Sequence, residues 1–195
     1  MSIEQKKYNR LRKELQFVQS ELEYVLEVLN EWHLIFEEYY RDYCKRKEID
    51  LDQLNKKFSK KIDKIIPKPV KKETGVILYE NKKNKGVFKK LYKKIARKLH
   101  PDLGGDEKEF QEATNAMQEK NFEKILDICD KHDILIEIDE EVLKLLEQQI
   151  SDTKEQIKKE KSTYSWSLYS CSNDKCKNNV VKKFLKHLFN YEEKK

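Results

Sequence analysis

Residues 8–43 read YNRLRKELQFVQSELEYVLEVLNEWHLIFEEYYRDY, a stretch in which apolar side chains recur three and four residues apart. The positions on this spacing are Tyr8, Leu11, Leu15, Val18, Leu22, Val25, Leu29, Trp32, Phe36, Tyr39 and Tyr43. A 3-4 repeat sustained over about five heptads is typical of a helix that packs along a coiled-coil seam. It predicts a long N-terminal coiled-coil helix over residues 1–50.

A second seam follows the same spacing in residues 139–161, within a predicted domain of residues 132–162. Its positions are Leu143, Leu146, Ile150, Thr153 and Ile157. Antiparallel pairing with the first helix would cover both seams, and a parallel homodimer through the first helix is the alternative. Further apolar residues widen the first stripe and predict more than one neighbour for that helix: Phe17, Tyr24, Leu26, Val28, Leu34 and Ile35.

The composition favours an all-α protein. Of the 195 residues, 40% are charged and only 4 are Gly and 3 Pro, so the turns that a many-stranded β fold requires are scarce. The N-terminus has no apolar signal region, and no apolar run approaches the roughly 18 residues that cross a bilayer. We therefore expect a soluble cytoplasmic protein with no membrane association. Its four cysteines, Cys44, Cys129, Cys171 and Cys176, are expected to be free thiols.

Two further stretches flank the predicted helices. Residues 51–86 are rich in lysine and are predicted to be a linker and connecting segment, with a boundary at Pro67 and Pro69 because proline interrupts helices. Residues 76–80 within it are ambiguous between extended and helical structure. In the C-terminal region, residues 163–195, the sequence from Tyr164 to Leu168 alternates apolar and polar with period two, and residues near 181–188 predict a short amphipathic helix.

The most informative stretch, residues 87–131, predicts a helical hairpin. In its first helix, at about residues 87–100, Phe88, Leu91, Ile95 and Leu99 share one face. The remaining surface is a basic face made of Lys89, Lys90, Lys93, Lys94, Arg97 and Lys98. Like charges four residues apart repel each other on a helix, so the basic face favours a role in binding something anionic.

The hairpin is predicted to bend at the sequence His100-Pro101-Asp102-Leu103-Gly104-Gly105. Proline disfavours helical geometry in the residue before it, so the first helix should stop at His100. The two glycines then supply the turn, and Asp106 with Glu109 forms a capping box that starts a helix at about residues 107–120. A third helix, at about 122–131, should begin at Asn121. The predicted hairpin displays His100 and Asp102 at its tip.

These residues resemble the J-domain of DnaJ-type co-chaperones, through the His-Pro-Asp tripeptide at 100–102, the basic helix before it and the Gly-Gly-Asp-Glu sequence after it. The resemblance implies a protein that is not an enzyme and has no cofactor. Such a domain docks on a DnaK-type heat-shock ATPase and stimulates its ATP hydrolysis. Asp102 would pair with an arginine of the ATPase, His100 and Pro101 would hold the tip, and the basic face would meet an acidic surface. The coiled coil would bind a client, a second copy or another partner.

Two features depart from the family pattern. Leu103 stands where the family usually has lysine, and the family's first helix is not recognisable before residue 87. Something else must then cover Phe88 and Leu91, and the long N-terminal helix or residues 50–66 are the candidates. The family's zinc-binding repeats and Gly/Phe-rich linker are also missing from the sequence, so the resemblance implies a J module alone.

Three other functions are weighed against this one. The main alternative is a structural or scaffold protein of a larger assembly, such as a virus particle, that retains a J-like hairpin. Low alanine with high lysine, asparagine and isoleucine indicates an AT-rich genome, which suits some large DNA viruses, phages or intracellular bacteria. Nucleic-acid binding through residues 82–98 is disfavoured because the chain has 37 Lys against 5 Arg, and base readout depends on bidentate arginine. Cys171, Cys176 and His187 lack the spacing of a zinc site, so no metal is predicted.

Overall fold

The computed structural model describes residues 2–62, 85–119 and 121–192. All regular structure in those ranges is helical, as the composition predicted, and none of it is β-strand. The helices are α1 (Ile3–Arg46), α2 (Leu51–Ile62), α3 (Lys85–Leu99), α4 (Glu107–Gln118), α5 (Phe122–Lys131), α6 (Glu140–Glu160), α7 (Tyr164–Tyr169) and α8 (Asp174–Phe189), with a 3-10 turn at Pro101–Leu103. None of these helices is long and apolar enough to cross a bilayer.

Most helix positions follow the sequence patterns, and two do not. Helix α2 lies within the stretch predicted as a linker, where Leu51, Leu54 and Phe58 share a helical face. Helix α7 forms over the period-two sequence because Thr163 caps it, accepting a hydrogen bond from the N–H of Trp166 at 3.3 Å. The predicted boundary at Pro67 and Pro69 and the ambiguous residues 76–80 lie outside the described residues.

The chain divides into two compact units, each described by itself. The first contains the described residues of Met1–Glu21 and Gly75–Glu155, and the second those of Leu22–Thr74 and Gln156–Lys195. Helix α1 contributes residues to both, because its apolar stripe continues without a break. Its buried residues are Tyr8, Leu11, Leu15 and Val18 in the first unit and Val25, Leu29, Phe36 and Tyr43 in the second.

In the first unit, α1 and α6 run parallel, so the predicted antiparallel pairing is wrong. Lys7 Nζ lies 2.9 Å from Glu147 Oε1, and Lys154 Nζ lies 2.6 Å from Glu14 Oε1. Both helices advance by seven residues between the two ion pairs, which only a parallel arrangement permits. A 3-4 apolar repeat reads the same in either direction, so the spacing could not fix the polarity.

The second unit has an aromatic core. Phe36 contacts Phe184 edge to face, with ring centroids 5.0 Å apart, and Tyr164 stacks on Phe36 at 6.2 Å. Helix α2 joins this core where Phe58 meets Phe189 at 5.6 Å. Only part of the wide apolar stripe of α1 is buried. Phe17, Tyr24, Leu26 and Leu34 are exposed, Val28 is half-buried and Ile35 packs against the core of the second unit.

The cysteines also differ from expectation. Cys171 and Cys176 form a disulfide, with their Cα atoms 5.5 Å apart, whereas Cys44 and Cys129 are free and buried. The short connection between α7 and α8 brings Cys171 and Cys176 to a separation that a disulfide can span. The expectation of four free thiols is therefore wrong for this pair, because it considered compartment and cysteine number but not local geometry.

Helix α5 ends in a way that directs the chain that follows it. Asp133 has a left-handed φ of 51°, and the N–H of Ile134 donates to the carbonyl of Cys129 at 2.8 Å. This is the Schellman arrangement, in which a left-handed residue closes the last turn of a helix. Residues 132–139, which we call the α5–α6 segment, then continue without helical structure to the start of α6.

A buried arginine attaches α1 to α5. Arg12 Nη2 donates hydrogen bonds to Asp127 Oδ1 at 2.7 Å and to Asp130 Oδ2 at 2.9 Å, and only 9% of the arginine side chain is exposed. Burial acts to lower the pKa of Arg12, but the hydrogen bond to Asp127 and the charges of both carboxylates outweigh it, so the pKa is raised. The charged form of this buried group therefore depends on its two partners.

Removing the two carboxylates should lower the free energy of unfolding more than removing the arginine does. Replacement of Asp127 and Asp130 together by Ala leaves a buried guanidinium unpaired, and we expect it to lower the free energy of unfolding by about 3–5 kcal/mol. Arg12→Met should cost less, because Asp127 and Asp130 are 51% and 63% exposed and water can solvate them. Urea unfolding followed by circular dichroism measures both. Equal losses would contradict the dependence of Arg12 on its partners.

Tyr8 should make the fold sensitive to alkali. Its buried hydroxyl has no hydrogen-bond partner among the described residues, and burial raises the pKa of Tyr8 to about 12. Because the folded pKa lies above the ordinary value near 10, the contribution to stability is complete below pH 10 and is lost as the pH rises towards 12. We expect wild type to lose about 1.4 kcal/mol more per pH unit in this window than Tyr8→Phe does. Urea unfolding at pH 9 and pH 11.5 gives the comparison, and parallel losses would refute it.

Candidate partner-binding surface

Helix α3 separates apolar and basic side chains onto different faces. Val87, Phe88, Leu91, Ile95 and Leu99 are buried. Phe88 packs against Phe122 of α5, with ring centroids 5.4 Å apart. The cover for Phe88 therefore includes α5, whereas the described part of residues 50–66 forms α2, which belongs to the second unit. The arrangement holds the apolar face of α3 inward and leaves the opposite face to solvent.

The basic face divides into two groups. Successive residues of a helix are about 100° apart, so Lys89, Lys93, Arg97 and Lys90 lie within an arc of about 100°, with Lys94 and Lys98 beyond its edge. The first four are exposed and make no hydrogen bond or ion pair within the described part of the chain. We call them the free cations. They form the positive surface that remains available to a partner.

The other two cations are bound by the protein itself. Lys94 Nζ donates to the carbonyl of Leu135 at 3.1 Å and lies 3.1 Å from Glu137 Oε1. Lys98 Nζ donates to the carbonyl of His132. The α5–α6 segment therefore lies against this flank of α3. All six cations were predicted to lie on a binding face. Two of them, Lys94 and Lys98, instead contact this segment of the same chain.

The bend, residues His100–Gly105, is exposed from Pro101 to Gly104 and half-buried at His100 and Gly105. The side chain of Asp102 is 86% exposed, and the side chain of His100 is 41% exposed. His100 caps the 3-10 turn, because its Nδ1 accepts a hydrogen bond from the N–H of Asp102 at 3.2 Å. An accepting Nδ1 places the proton of the neutral ring on Nε2. The ring also contacts Phe110 of α4, with centroids 5.0 Å apart, so the imidazole is held between its own turn and the next helix.

Both glycines of the bend are required by geometry. Gly104 has φ of 84°, a left-handed conformation that glycine adopts without strain. A Cβ atom on Gly105 would lie 2.2 Å from the carbonyl oxygen of Leu99, which is backbone and has no freedom to move aside. The chain passes so close to the end of α3 that only glycine fits there. Asp102 and Leu103 lie in the exposed part of this bend.

Helix α4 has the predicted N-cap, but only half of the predicted capping box forms. Asp106 accepts a hydrogen bond from the N–H of Glu109 at 3.0 Å, which is the first half of the predicted box. The carboxylate of Glu109 instead reaches the end of α5. There it binds Lys131 Nζ at 2.5 Å and lies 3.1 Å from His132 Nε2, without the alignment of a hydrogen bond. Glu109 thus ties α4 to the start of the α5–α6 segment.

The α5–α6 segment is the part of this surface that sequence reasoning missed. Its residues alternate in burial, with Ile134, Ile136 and Ile138 half-buried and Leu135 and Glu137 exposed. The period-two placement of isoleucine was a signal for such a one-sided extended segment. Its contact with α3 could not have been read from the sequence, because the partners are about forty residues apart. Within the described ranges, no three His, Cys, Asp or Glu side chains come close enough together to hold a metal ion.

The bend should tolerate no side chain at position 105. We expect Gly105→Ala to lower the free energy of unfolding by about 2–3 kcal/mol, because the new Cβ would overlap the Leu99 carbonyl. Gly86→Ala is the matched control: no atom lies within 4 Å of a Cβ at that position, and alanine favours helix, so stability should be unchanged or slightly higher. Thermal unfolding of both variants tests this. An unaltered Gly105→Ala protein would show that the close approach is absent.

Comparison with known protein families, with curated proteins and with solved structures found no match for this chain.

Proposed function

We propose that this protein is a J-domain co-chaperone that docks on a DnaK-type heat-shock ATPase and stimulates its ATP hydrolysis. The observation that carries the proposal is the exposed His100-Pro101-Asp102 bend at the end of a helix whose free cations have no partner in the described chain. The protein itself catalyses no reaction in this proposal and needs no cofactor. The ATPase performs the hydrolysis, and this chain supplies the surface that triggers it.

The two parts of the surface have different tasks. The free cations attract an acidic surface over a distance and orient the encounter, an effect that salt screens. Asp102 offers a solvated carboxylate that a partner arginine can bind with two hydrogen bonds. His100 acts as a positioning residue, since its ring binds the N–H of Asp102 and rests on Phe110. Docking and triggering should therefore respond separately to mutation.

In this proposal, α1 and α6 are the coiled-coil arm that selects a client, a second copy or another partner. The parallel ion pairs of the first unit and the exposed Phe17 support such a role. The alternative is a scaffold protein of a larger assembly, such as a virion component, in which a J-like hairpin serves for packing. Lys94 and Lys98 of the basic face already have partners within the protein, and this favours the scaffold alternative.

Single-turnover ATP hydrolysis by a panel of DnaK-type chaperones tests the proposal. We expect wild type to accelerate hydrolysis by at least one of them, and Asp102→Asn and His100→Gln to reduce the maximal acceleration by about tenfold or more, because a charge-assisted contact is lost or mispositioned. Glu112→Gln, which neutralises an exposed carboxylate of α4, is the control and should act like wild type.

The double variant Lys93→Glu/Arg97→Glu separates docking from triggering. We expect it to raise the concentration needed for half-maximal stimulation about tenfold at low salt, with a smaller effect at high salt. No acceleration by wild type with any chaperone would remove the proposal and favour the scaffold. Nucleic-acid binding that declines steeply with salt and is indifferent to the bend variants would favour the remaining alternative.

A further inference from the structure

The most exposed leucine near the basic face is held in a defined place. Leu135 is 85% exposed, and its carbonyl accepts a hydrogen bond from Lys94 of α3. The same lysine lies within ion-pair distance of Glu137, and Lys98 binds the carbonyl of His132. Both ends of the segment that carries Leu135 are therefore attached to the flank of the helix that bears the free cations.

The side chains before and after Leu135 are turned towards the protein. Ile134 and Ile136 are half-buried, and Ile138 is too, so the alternation turns the isoleucines towards the protein and leaves Leu135 and Glu137 outside. The start of the segment is fixed by the Schellman closure of α5 at Asp133. When a large apolar side chain on an attached segment meets a partner, the backbone that carries it needs little further ordering, which favours its use in binding.

We propose that Leu135 is an apolar contact of the partner-binding surface, held there by Lys94 and Lys98, and that its partner is an acidic protein surface with an apolar patch beside it. This inference rests on the proposed function and specifies the chemistry of the surface that the ATPase offers. The acidic character follows from charge complementarity with Lys89, Lys90, Lys93 and Arg97. Lys94 and Lys98 are then positioning residues, which act through the segment that they hold.

Binding of the full chain to the most responsive DnaK-type chaperone, measured at low and high salt with ATP, tests the inference. We expect Leu135→Ser to weaken binding about tenfold at both salt concentrations, since an apolar contact is not screened by ions. Leu188→Ser is the matched control, because Leu188 is also an exposed leucine but lies in α8, outside the hairpin and the coiled-coil helices; it should bind like wild type.

A double-mutant cycle tests the role of Lys94. If Lys94 acts by holding Leu135, Lys94→Met and Leu135→Ser together should weaken binding no more than the stronger single variant. Lys93→Met is the control, because Lys93 is a free cation, and its effect should add to that of Leu135→Ser and shrink with salt.

The outcomes separate the two proposals. Normal binding by Leu135→Ser, with weakened binding by Lys93→Glu/Arg97→Glu, overturns the inference and leaves the co-chaperone function in place. Binding that is indifferent to both variants, or no binding by wild type, overturns both. A tenfold loss for Leu135→Ser that disappears at high salt would also overturn the inference, because it would identify an electrostatic effect.

Discussion

The guanidinium of Arg12 lies buried between α1 and α5, bound by Asp127 and Asp130. These two carboxylates are three residues apart and so share one face of α5, where a single forked cation meets both. Helix α5 in turn packs on α3 through Phe122. The arginine thus fixes the element against which the basic helix rests. This attachment therefore supplies part of the support on which α3 and the bend rest.

The bend shows how backbone geometry can substitute for contacts. Gly105 approaches the Leu99 carbonyl too closely for any side chain, and Gly104 adopts a left-handed turn. The imidazole of His100 then closes the turn from the other side, through Asp102 N–H and Phe110. Little of the bend is buried, yet these contacts define its path and leave the carboxylate of Asp102 exposed. Preorganisation of this kind lowers the conformational cost of binding.

Local features of the fold were predictable from the sequence, and pairings between distant residues were not. The 3-4 spacing from Tyr8 located α1, and Pro101 with Asp106 located the ends of α3 and α4, because these signals act within a few residues. The spacing did not reveal that α6 runs parallel to α1, which required the ion pairs at Lys7 and Glu14. The disulfide between Cys171 and Cys176 likewise depends on where α7 ends and α8 begins.

The division of the basic face illustrates the same limit and carries a physical consequence. Periodicity placed six cations on the outside of α3 but could not distinguish those with internal partners, because Leu135, Glu137 and His132 come from a segment beyond α5. Those partners relieve repulsion at Lys94 and Lys98. Lys89, Lys90, Lys93 and Arg97 have no such partners within the described chain, so the repulsion among them lowers the stability of α3, and salt or a bound anionic surface would relieve it.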